Sequence, residues 1–125
     1  MNGSKLVLDT NIILYLLAGD KTIADFLQDK QGYISVITEL ELIGYPDMTI
    51  KELQQIRNFL EDCSIVDLNE EIKSIYINLR KKYRVKLGDA VIAASAIFLD
   101  LPLISADAGF NKIEELKLTF YNYTQ

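Results

Sequence analysis

Four acidic residues occupy positions in the sequence that suit a divalent metal ion: Asp9, Glu41, Asp89 and Asp107. Asp9 and Asp107 each follow a short apolar run, whereas Glu41 and Asp89 each fall near the start of a predicted helix. Carboxylate oxygens without histidine or thiolate partners favour Mg²⁺ or Mn²⁺ over zinc. An ion held by such oxygens activates water and stabilises the charge on a displaced phosphoryl oxygen. These residue types therefore indicate phosphodiester hydrolysis.

The residue types that the chain lacks narrow the chemistry further. There is no histidine and a single cysteine, Cys63, which excludes the commonest general base, a Cys–His nucleophile pair and a thiolate zinc site. Neither common type of glycine-rich phosphate loop is present. The formal net charge of −5 argues against a protein that coats nucleic acid. A nuclease stays compatible, because bound cations reverse the local charge of an acidic pocket.

Length and composition predict one domain over residues 1–125 that needs no disulfide or structural metal to fold, because half of the residues are apolar. No apolar run is long enough to cross a bilayer, and no signal peptide is recognisable. We therefore expect a cytoplasmic protein without a membrane partner.

The acids must be positioned by alternating strands and helices. Leu6, Val7 and Leu8 are apolar on both faces of a strand, as is typical of the middle of a parallel sheet. Further strands are predicted at 33–37, 64–68, 102–105 and 119–123. Helices are predicted from Thr10 or Asn11 to Leu17, over 22–29, 38–45, 49–61 and 112–116, after Asn69, and from Asp89. This alternation predicts an α/β fold with a mostly parallel sheet.

Three of the acids also have a plainer interpretation. Asp9 and Asp89 are suitable helix N-caps, and Asp107 is a suitable turn residue beside Gly109. In a parallel sheet, however, strand ends and the first turns of the following helices lie at the carboxyl edge, where ligands bind. Carboxylates crowded there raise one another's pKa values unless a cation joins them. Their convergence therefore favours a metal site.

The second acid has two candidates. Glu41 completes a capping box with Thr38, which by itself explains a glutamate at this position. Glu39 lies two residues earlier, on a different face of the same predicted helix. The residues alone leave both glutamates open.

A run of basic residues precedes Asp89 and consists of Arg80, Lys81, Lys82, Arg84 and Lys86. One interpretation is a solvated helix end, because cations stabilise a helix C-terminus. The other is that these side chains hold the phosphate backbone of RNA beside the metal site.

The chain resembles PIN-domain ribonucleases, and in particular the small VapC-type toxins of bacterial toxin–antitoxin pairs. Four segments carry the resemblance and occur in the order typical of the family: Leu8-Asp9-Thr10-Asn11-Ile12-Ile13, Ser35-Val36-Ile37-Thr38-Glu39-Leu40-Glu41-Leu42, Gly88-Asp89-Ala90-Val91-Ile92-Ala93-Ala94 and Leu101-Pro102-Leu103-Ile104-Ser105-Ala106-Asp107-Ala108-Gly109-Phe110.

This resemblance implies a PIN-like fold with a central five-stranded, mostly parallel sheet and helices on both faces. It implies Mg²⁺- or Mn²⁺-dependent endonuclease cleavage of RNA, a homodimer, and inhibition by a small antitoxin protein. The four acids of the family match Asp9, Glu41 rather than Glu39, Asp89 and Asp107. The supporting asparagine and hydroxyl residue of the family fall on Asn11 and Ser105.

Two other classes of protein fit parts of the pattern. A silent PIN-like fold would serve as an RNA- or protein-binding module, but such a module has no need of four clustered acids. A receiver domain also places acids at strand ends, but receivers have adjacent acids near the end of the first strand, and here Leu8 and Thr10 flank Asp9. The sequence therefore favours an endoribonuclease in which water is the nucleophile, leaving a 5′-phosphate and a 3′-hydroxyl.

Overall fold

A computed structural model describes residues 4–122, and the five strands of this part form one sheet in which every pairing is parallel. The strands are β1 (Lys5–Leu8), β2 (Gln31–Ser35), β3 (Ser64–Val66), β4 (Leu103–Ser105) and β5 (Leu118–Phe120). Their order across the sheet is β3-β2-β1-β4-β5. The five-stranded parallel sheet expected from the sequence is confirmed.

Helices connect the strands in the alternating order that the sequence predicts. They are α1 (Thr10–Leu17), α2 (Lys21–Leu27), α3 (Val36–Ile43), α4 (Ile50–Glu61), α5 (Glu70–Lys82) and α6 (Leu87–Leu99), followed by a 3-10 helix, Ala108–Lys112. Of the helices within residues 4–122, none is both long and apolar enough to cross a membrane.

Two hydrophobic clusters lie on opposite faces of the sheet, because successive strand residues point to opposite sides. On one face, Val7 of β1 belongs to a buried cluster with residues of α5 and α6, including Leu79 and Ile92. On the other face, Leu8 belongs to a cluster with residues of α1 to α4, including Ile12. Helices therefore cover both faces, as predicted, and β1 is apolar on both sides because it lies in the middle.

The chain reverses its direction across the sheet between β1 and β4. From β1 it builds outward through β2 to β3, and then returns by way of α5 and α6 to β4, on the other side of β1. In open α/β sheets, ligands bind outside the carboxyl ends of the strands at such a point. Asp9 follows β1 and Asp107 comes two residues after β4, so both stand at this edge.

The boundary between β2 and α3 differs from the prediction. The sequence predicts a strand to Ile37 and a helix from Thr38, whereas β2 ends at Ser35 and α3 begins at Val36. Ser35 caps α3, since its hydroxyl accepts a hydrogen bond from the backbone N–H of Ile37 at 3.0 Å. Val36 and Ile37 are β-branched and resemble strand residues, but the serine side chain decides where the helix starts.

The C-terminal elements also differ from the prediction. The helix predicted over 112–116 is absent from its place, and the 3-10 helix lies earlier, because the side chain of Asp107 accepts a hydrogen bond from the backbone N–H of Gly109 at 2.8 Å. The last strand, β5, ends at Phe120. Its predicted end, Tyr123, lies outside the described residues.

Candidate metal centre

Asp9 is the most buried of the four predicted acids. It is 5% exposed and lies between the end of β1 and the start of α1, where it is the N-cap residue. One carboxylate oxygen accepts a hydrogen bond from the backbone N–H of Thr10 at 2.8 Å, and the other accepts one from the hydroxyl of Ser105 at 2.6 Å. The capping role and a site role are therefore compatible in the same side chain.

Ser105 connects the first acid to the fourth. Its fully buried hydroxyl donates to Asp9 and accepts a hydrogen bond from the backbone N–H of Asp107 at 2.9 Å. Asp107 is exposed, and its Oδ1 accepts the hydrogen bond from Gly109. The predicted turn role of Asp107 is thus observed, and it leaves the carboxylate at the rim of the site.

Glu41 is oriented by the residue that follows Asp9. The hydroxyl of Thr10 donates to Glu41 Oε1 at 2.5 Å and also lies 3.2 Å from the hydroxyl of buried Thr38. Thr38 is inside α3, so it cannot be the N-cap of that helix, and the capping box with Glu41 was a wrong interpretation. Glu39 points elsewhere and lines a different recess.

Asp89 lies in the first turn of α6, which begins at Leu87 with Lys86 as its N-cap residue. The alternative that Asp89 is an N-cap is therefore wrong. An acid in a first helical turn is stabilised by the helix dipole. The start of α6 lies close to α3, since a Cβ added at Gly88 would lie 3.8 Å from Glu41 Oε2.

One cleft of about 440 Å³ is lined by all four predicted acids, Asp9, Glu41, Asp89 and Asp107. The acids come from four separate segments of the chain, and the carboxyl edge of the sheet brings them together. The remaining lining residues include a mixed polar and apolar group: Thr10, Asn11, Leu14, Tyr45 and Pro46. The cleft therefore has an acidic part beside an apolar part.

The negatively charged carboxylates in this cleft repel one another. The pKa of Asp9 is raised to about 6, because burial and the charges of Asp89 and Asp107 raise it more than the hydrogen bonds from Ser105 and Thr10 lower it. The pKa of Asp89 is raised by its burial and by the charges of Asp107 and Glu41, while nearby Lys86 lowers it. A divalent cation among these carboxylates would relieve their repulsion.

The oxygen donors of the cleft fit a hard cation, although the acidic side chains are not close enough together to share one as they stand. The cleft offers carboxylate, hydroxyl and amide oxygens without histidine or cysteine, which suits Mg²⁺ or Mn²⁺. Within residues 4–122, no three acidic or cysteine side chains are close enough to form a ligand group as they stand. Glu41 and Asp107 already accept hydrogen bonds, from the hydroxyl of Thr10 and the backbone N–H of Gly109 respectively.

The supporting residues named from the sequence also lie here. Asn11 lines the cleft, and its Oδ1 accepts a hydrogen bond of 3.4 Å from the backbone N–H of Ala106. Ser105 is the hydroxyl partner of Asp9. Their roles in binding a metal or substrate stay predictions.

The basic run divides into parts with different surroundings. Arg80 donates to the hydroxyl of Tyr76 at 3.0 Å, and Lys81 is exposed on α5. Lys82 forms an ion pair with Glu115 at 2.6 Å. The structure brings the remaining two, Arg84 and Lys86, to a second recess that shares Asp89 and Asp107 with the acidic cleft.

Two residues at this edge were not singled out as site residues from the sequence. From the sequence, Thr10 is predicted only as a candidate start of a helix, yet its hydroxyl contacts Glu41. Lys112 was placed in a predicted helix, yet it lines the second recess with Arg84 and Lys86. The position of Thr10 directly after Asp9 was a usable signal, whereas nothing in the sequence brings Lys112 to residues 84–86.

Comparisons with known proteins agree with this architecture. A family model of the PIN domain matches residues 6–116. A chain of a toxin–antitoxin complex from Klebsiella pneumoniae is 30% identical with a TM-score of 0.77, and the match covers 89% of this chain and 94% of that one. No curated protein matches the chain significantly.

Two further solved structures have the same fold. A chain of VapBC-1 from nontypeable Haemophilus influenzae is 27% identical with a TM-score of 0.79, covering 93% of this chain and 97% of that one. A chain of VapBC2 from Rickettsia felis, bound to a DNA fragment from its promoter, is 22% identical with a TM-score of 0.83, covering 94% and 99%. The last is a likeness of fold alone.

Proposed function

Because the chain belongs to the PIN-domain family, we propose that it is a metal-dependent endoribonuclease that hydrolyses RNA phosphodiester bonds. The observation that carries this proposal is the cleft at the carboxyl edge of the parallel sheet, which is lined by Asp9, Glu41, Asp89 and Asp107. Four carboxylates close together repel one another, which destabilises the folded protein. A divalent cation bound among them would remove this repulsion.

The four carboxylates would hold Mg²⁺ or Mn²⁺. When bound, such an ion supplies activated water and neutralises charge on the phosphate. The chain's own residues then have positioning roles: Ser105 holds Asp9 through Oδ2, and Thr10 holds Glu41 through Oε1. Because water is the nucleophile rather than the ribose 2′-hydroxyl, the products carry a 5′-phosphate and a 3′-hydroxyl.

The apolar part of the cleft supports a single-stranded substrate. Tyr45 is exposed and, with Leu14 and Pro46, lines the cleft beside the acids. Aromatic side chains bind unstacked bases of any identity, and sequence-specific recognition of RNA mostly uses single-stranded loops and ends. The basic run before Asp89 would contact the phosphate backbone next to this cleft.

The biological role that fits the similar structures is that of a toxin with a protein antitoxin. Two of the solved structures that match over most of the chain are a toxin–antitoxin complex and VapBC-1. We therefore propose that the protein binds a separate antitoxin chain that inhibits it. The homodimer expected from the resemblance stays a prediction.

The test is cleavage of a total-RNA pool by purified protein free of antitoxin, with Mg²⁺, with Mn²⁺ or with EDTA, and with Asp9→Asn as the matched variant. Discrete fragments that need the metal and disappear with Asp9→Asn support the proposal. No cleavage in either metal would instead favour a silent PIN-like module that binds RNA or protein.

A further inference from the structure

A second recess of about 240 Å³ adjoins the acidic cleft. Three cationic side chains, Arg84, Lys86 and Lys112, line it, and Asp89 and Asp107 line both recesses. The two carboxylates therefore form the border between a negatively charged cleft and a positively charged one. We refer to the space beside Arg84, Lys86 and Lys112 as the basic recess.

The cations of the basic recess are available to an anion. In the part of the chain that the structure describes, the ion pairs involve Lys73, Lys82 and Lys117, and neither Arg84 nor Lys86 takes part in one. Both side chains are exposed. The charge of Lys86 acts on nearby Asp89, but the two residues form no ion pair, so a phosphate that binds Arg84 and Lys86 displaces no ion-pair partner.

The basic recess is also held in place by contacts between distant segments. Lys112 donates a hydrogen bond from Nζ to the backbone carbonyl of Arg84. At the end of α5, Lys82 and the hydroxyl of Tyr83 both donate to the carboxylate of Glu115, at 2.6 and 2.7 Å. Residues 82–84 are thus tied to residues 112–115, so less backbone freedom is lost when a ligand binds beside Arg84.

We propose that the basic recess binds a phosphate group of the RNA chain next to the one that is cleaved, with Arg84 and Lys86 as its direct contacts and Lys112 supporting Arg84. This inference rests on the proposed function and adds a subsite to it. The two recesses lie side by side, because Asp89 and Asp107 line both of them. Neighbouring phosphates of one RNA strand could therefore occupy the two recesses together. Lys82 is excluded from this subsite, because its charge is already paired with Glu115.

The experiment measures RNA binding without cleavage. A 3′-labelled oligouridylate of about 12 nucleotides, within the usual site size for single strands, is titrated in EDTA at several KCl concentrations, and fluorescence anisotropy reports binding. The test variant is Arg84→Gln with Lys86→Gln. The matched control is Lys21→Gln with Lys51→Gln, which changes the net charge equally at two exposed lysines outside both recesses.

We expect the test variant to bind about tenfold more weakly at low salt and the slope of log K against log salt to fall by roughly 1.4, since each single-strand phosphate contact contributes about 0.7. The control is expected to change affinity less than about twofold. Equal losses in both variants would show a general charge effect and overturn the subsite. Unchanged binding by the test variant, or no measurable binding by the parent protein, would also overturn it.

Two forms of the probe identify the kind of phosphate. If an internal phosphodiester is bound, probes with a 5′-hydroxyl and with a 5′-phosphate lose affinity equally in the test variant. If a terminal phosphate is bound, only the 5′-phosphorylated probe loses affinity, and the internal assignment is wrong. Because the binding assay needs neither metal nor cleavage, it tests the subsite proposal independently of the nuclease proposal.

Discussion

Ser105 and Asp9 form a buried hydrogen bond in which the serine hydroxyl donates to Asp9 Oδ2 at 2.6 Å, across 96 residues of sequence. The two residues stand at the ends of the neighbouring strands β4 and β1. The same hydroxyl accepts the backbone N–H of Asp107 at 2.9 Å. A single side chain thus sets the relative positions of two of the four acids.

We expect Ser105→Ala to lower RNA cleavage and metal affinity by about 10- to 100-fold, the usual effect of losing a group that orients a ligand. The loss frees Asp9 Oδ2 and removes a hydrogen bond that lowers the pKa of Asp9. The control is Ser95→Ala, because Ser95 is also buried but donates to the carbonyl of Val91 inside α6. Equal activity of the two variants, measured at matched fractions of folded protein, would contradict this role.

Thr10→Val is expected to reduce cleavage about tenfold while the fold is retained, because valine keeps the shape but not the hydroxyl that holds Glu41. Thr22→Val on α2 is the control, since Thr22 is exposed and outside the cleft. The measurement is Mn²⁺ affinity by calorimetry together with cleavage rate. If Thr10→Val binds Mn²⁺ as the parent does, Thr10 has no positioning role.

Glu41→Gln and Glu39→Gln separate the two glutamates that the sequence left open. Glu41 lines the acidic cleft and its charge raises the pKa of Asp89, whereas Glu39 lines a recess with Arg57 and Asn58. We expect Glu41→Gln to lose most cleavage activity and Glu39→Gln to keep it. The reverse result would assign the second acid to Glu39.

The buried charge of Asp9 predicts an unusual pH dependence of stability in metal-free protein. Its pKa is about 6 in the folded chain and 3.8 as a free side chain, so the folded state takes up the proton first as the pH falls. The contribution of Asp9 therefore becomes more favourable from pH 7 towards pH 4, by about 3 kcal/mol in the limit.

Asp9→Asn removes this contribution and should raise the Tm in EDTA at pH 7.5, with a smaller difference at pH 5. Added Mg²⁺ or Mn²⁺ should then stabilise the parent protein more than the variant. Thermal unfolding at both pH values with EDTA or metal checks this. Equal metal-induced shifts in the two proteins would mean that Asp9 is not a metal ligand.

Glu115→Gln should destabilise the loop beside the basic recess at neutral pH. Hydrogen bonds from Lys82 and Tyr83 lower the pKa of Glu115 to about 2. A lowered folded-state pKa stabilises the protein above about pH 4.5, and this stabilisation is lost as the pH falls towards 2. We expect a small decrease in Tm at pH 7 that is clearly smaller near pH 3 and is lost near pH 2, with Glu114→Gln unchanged. A decrease at pH 3 as large as the one at pH 7 would contradict the ion pair.

The sequence predicts the fold well because its signals are local and consistent. The apolar run before Asp9 lies in the central strand, and the caps at Thr49 and Asn69 begin α4 and α5 as expected. Errors occur where a side chain contact overrides propensity. Ser35 starts α3 ahead of the predicted Thr38, and Asp107 draws the last helix into an earlier 3-10 turn.

The candidate site was predictable in its acids but not in the contacts that hold them. Acids after strands and at helix starts converge by topology alone, so the cleft follows from the alternating pattern. The bond from Thr10 to Glu41 and the approach of Lys112 to Arg84 depend on how separate segments pack. No local pattern encodes such long-range contacts.

The most direct test of the proposed mechanism is the end chemistry of RNA cut by the purified protein in Mn²⁺. Fragments are treated or not treated with polynucleotide kinase and phosphatase before ligation and sequencing, with Asp9→Asn as the background. We predict ends with a 5′-phosphate and a 3′-hydroxyl, produced by the parent protein only. Ends with a 2′,3′-cyclic phosphate, or equal cutting by Asp9→Asn, would contradict hydrolysis by water at the four-carboxylate cleft.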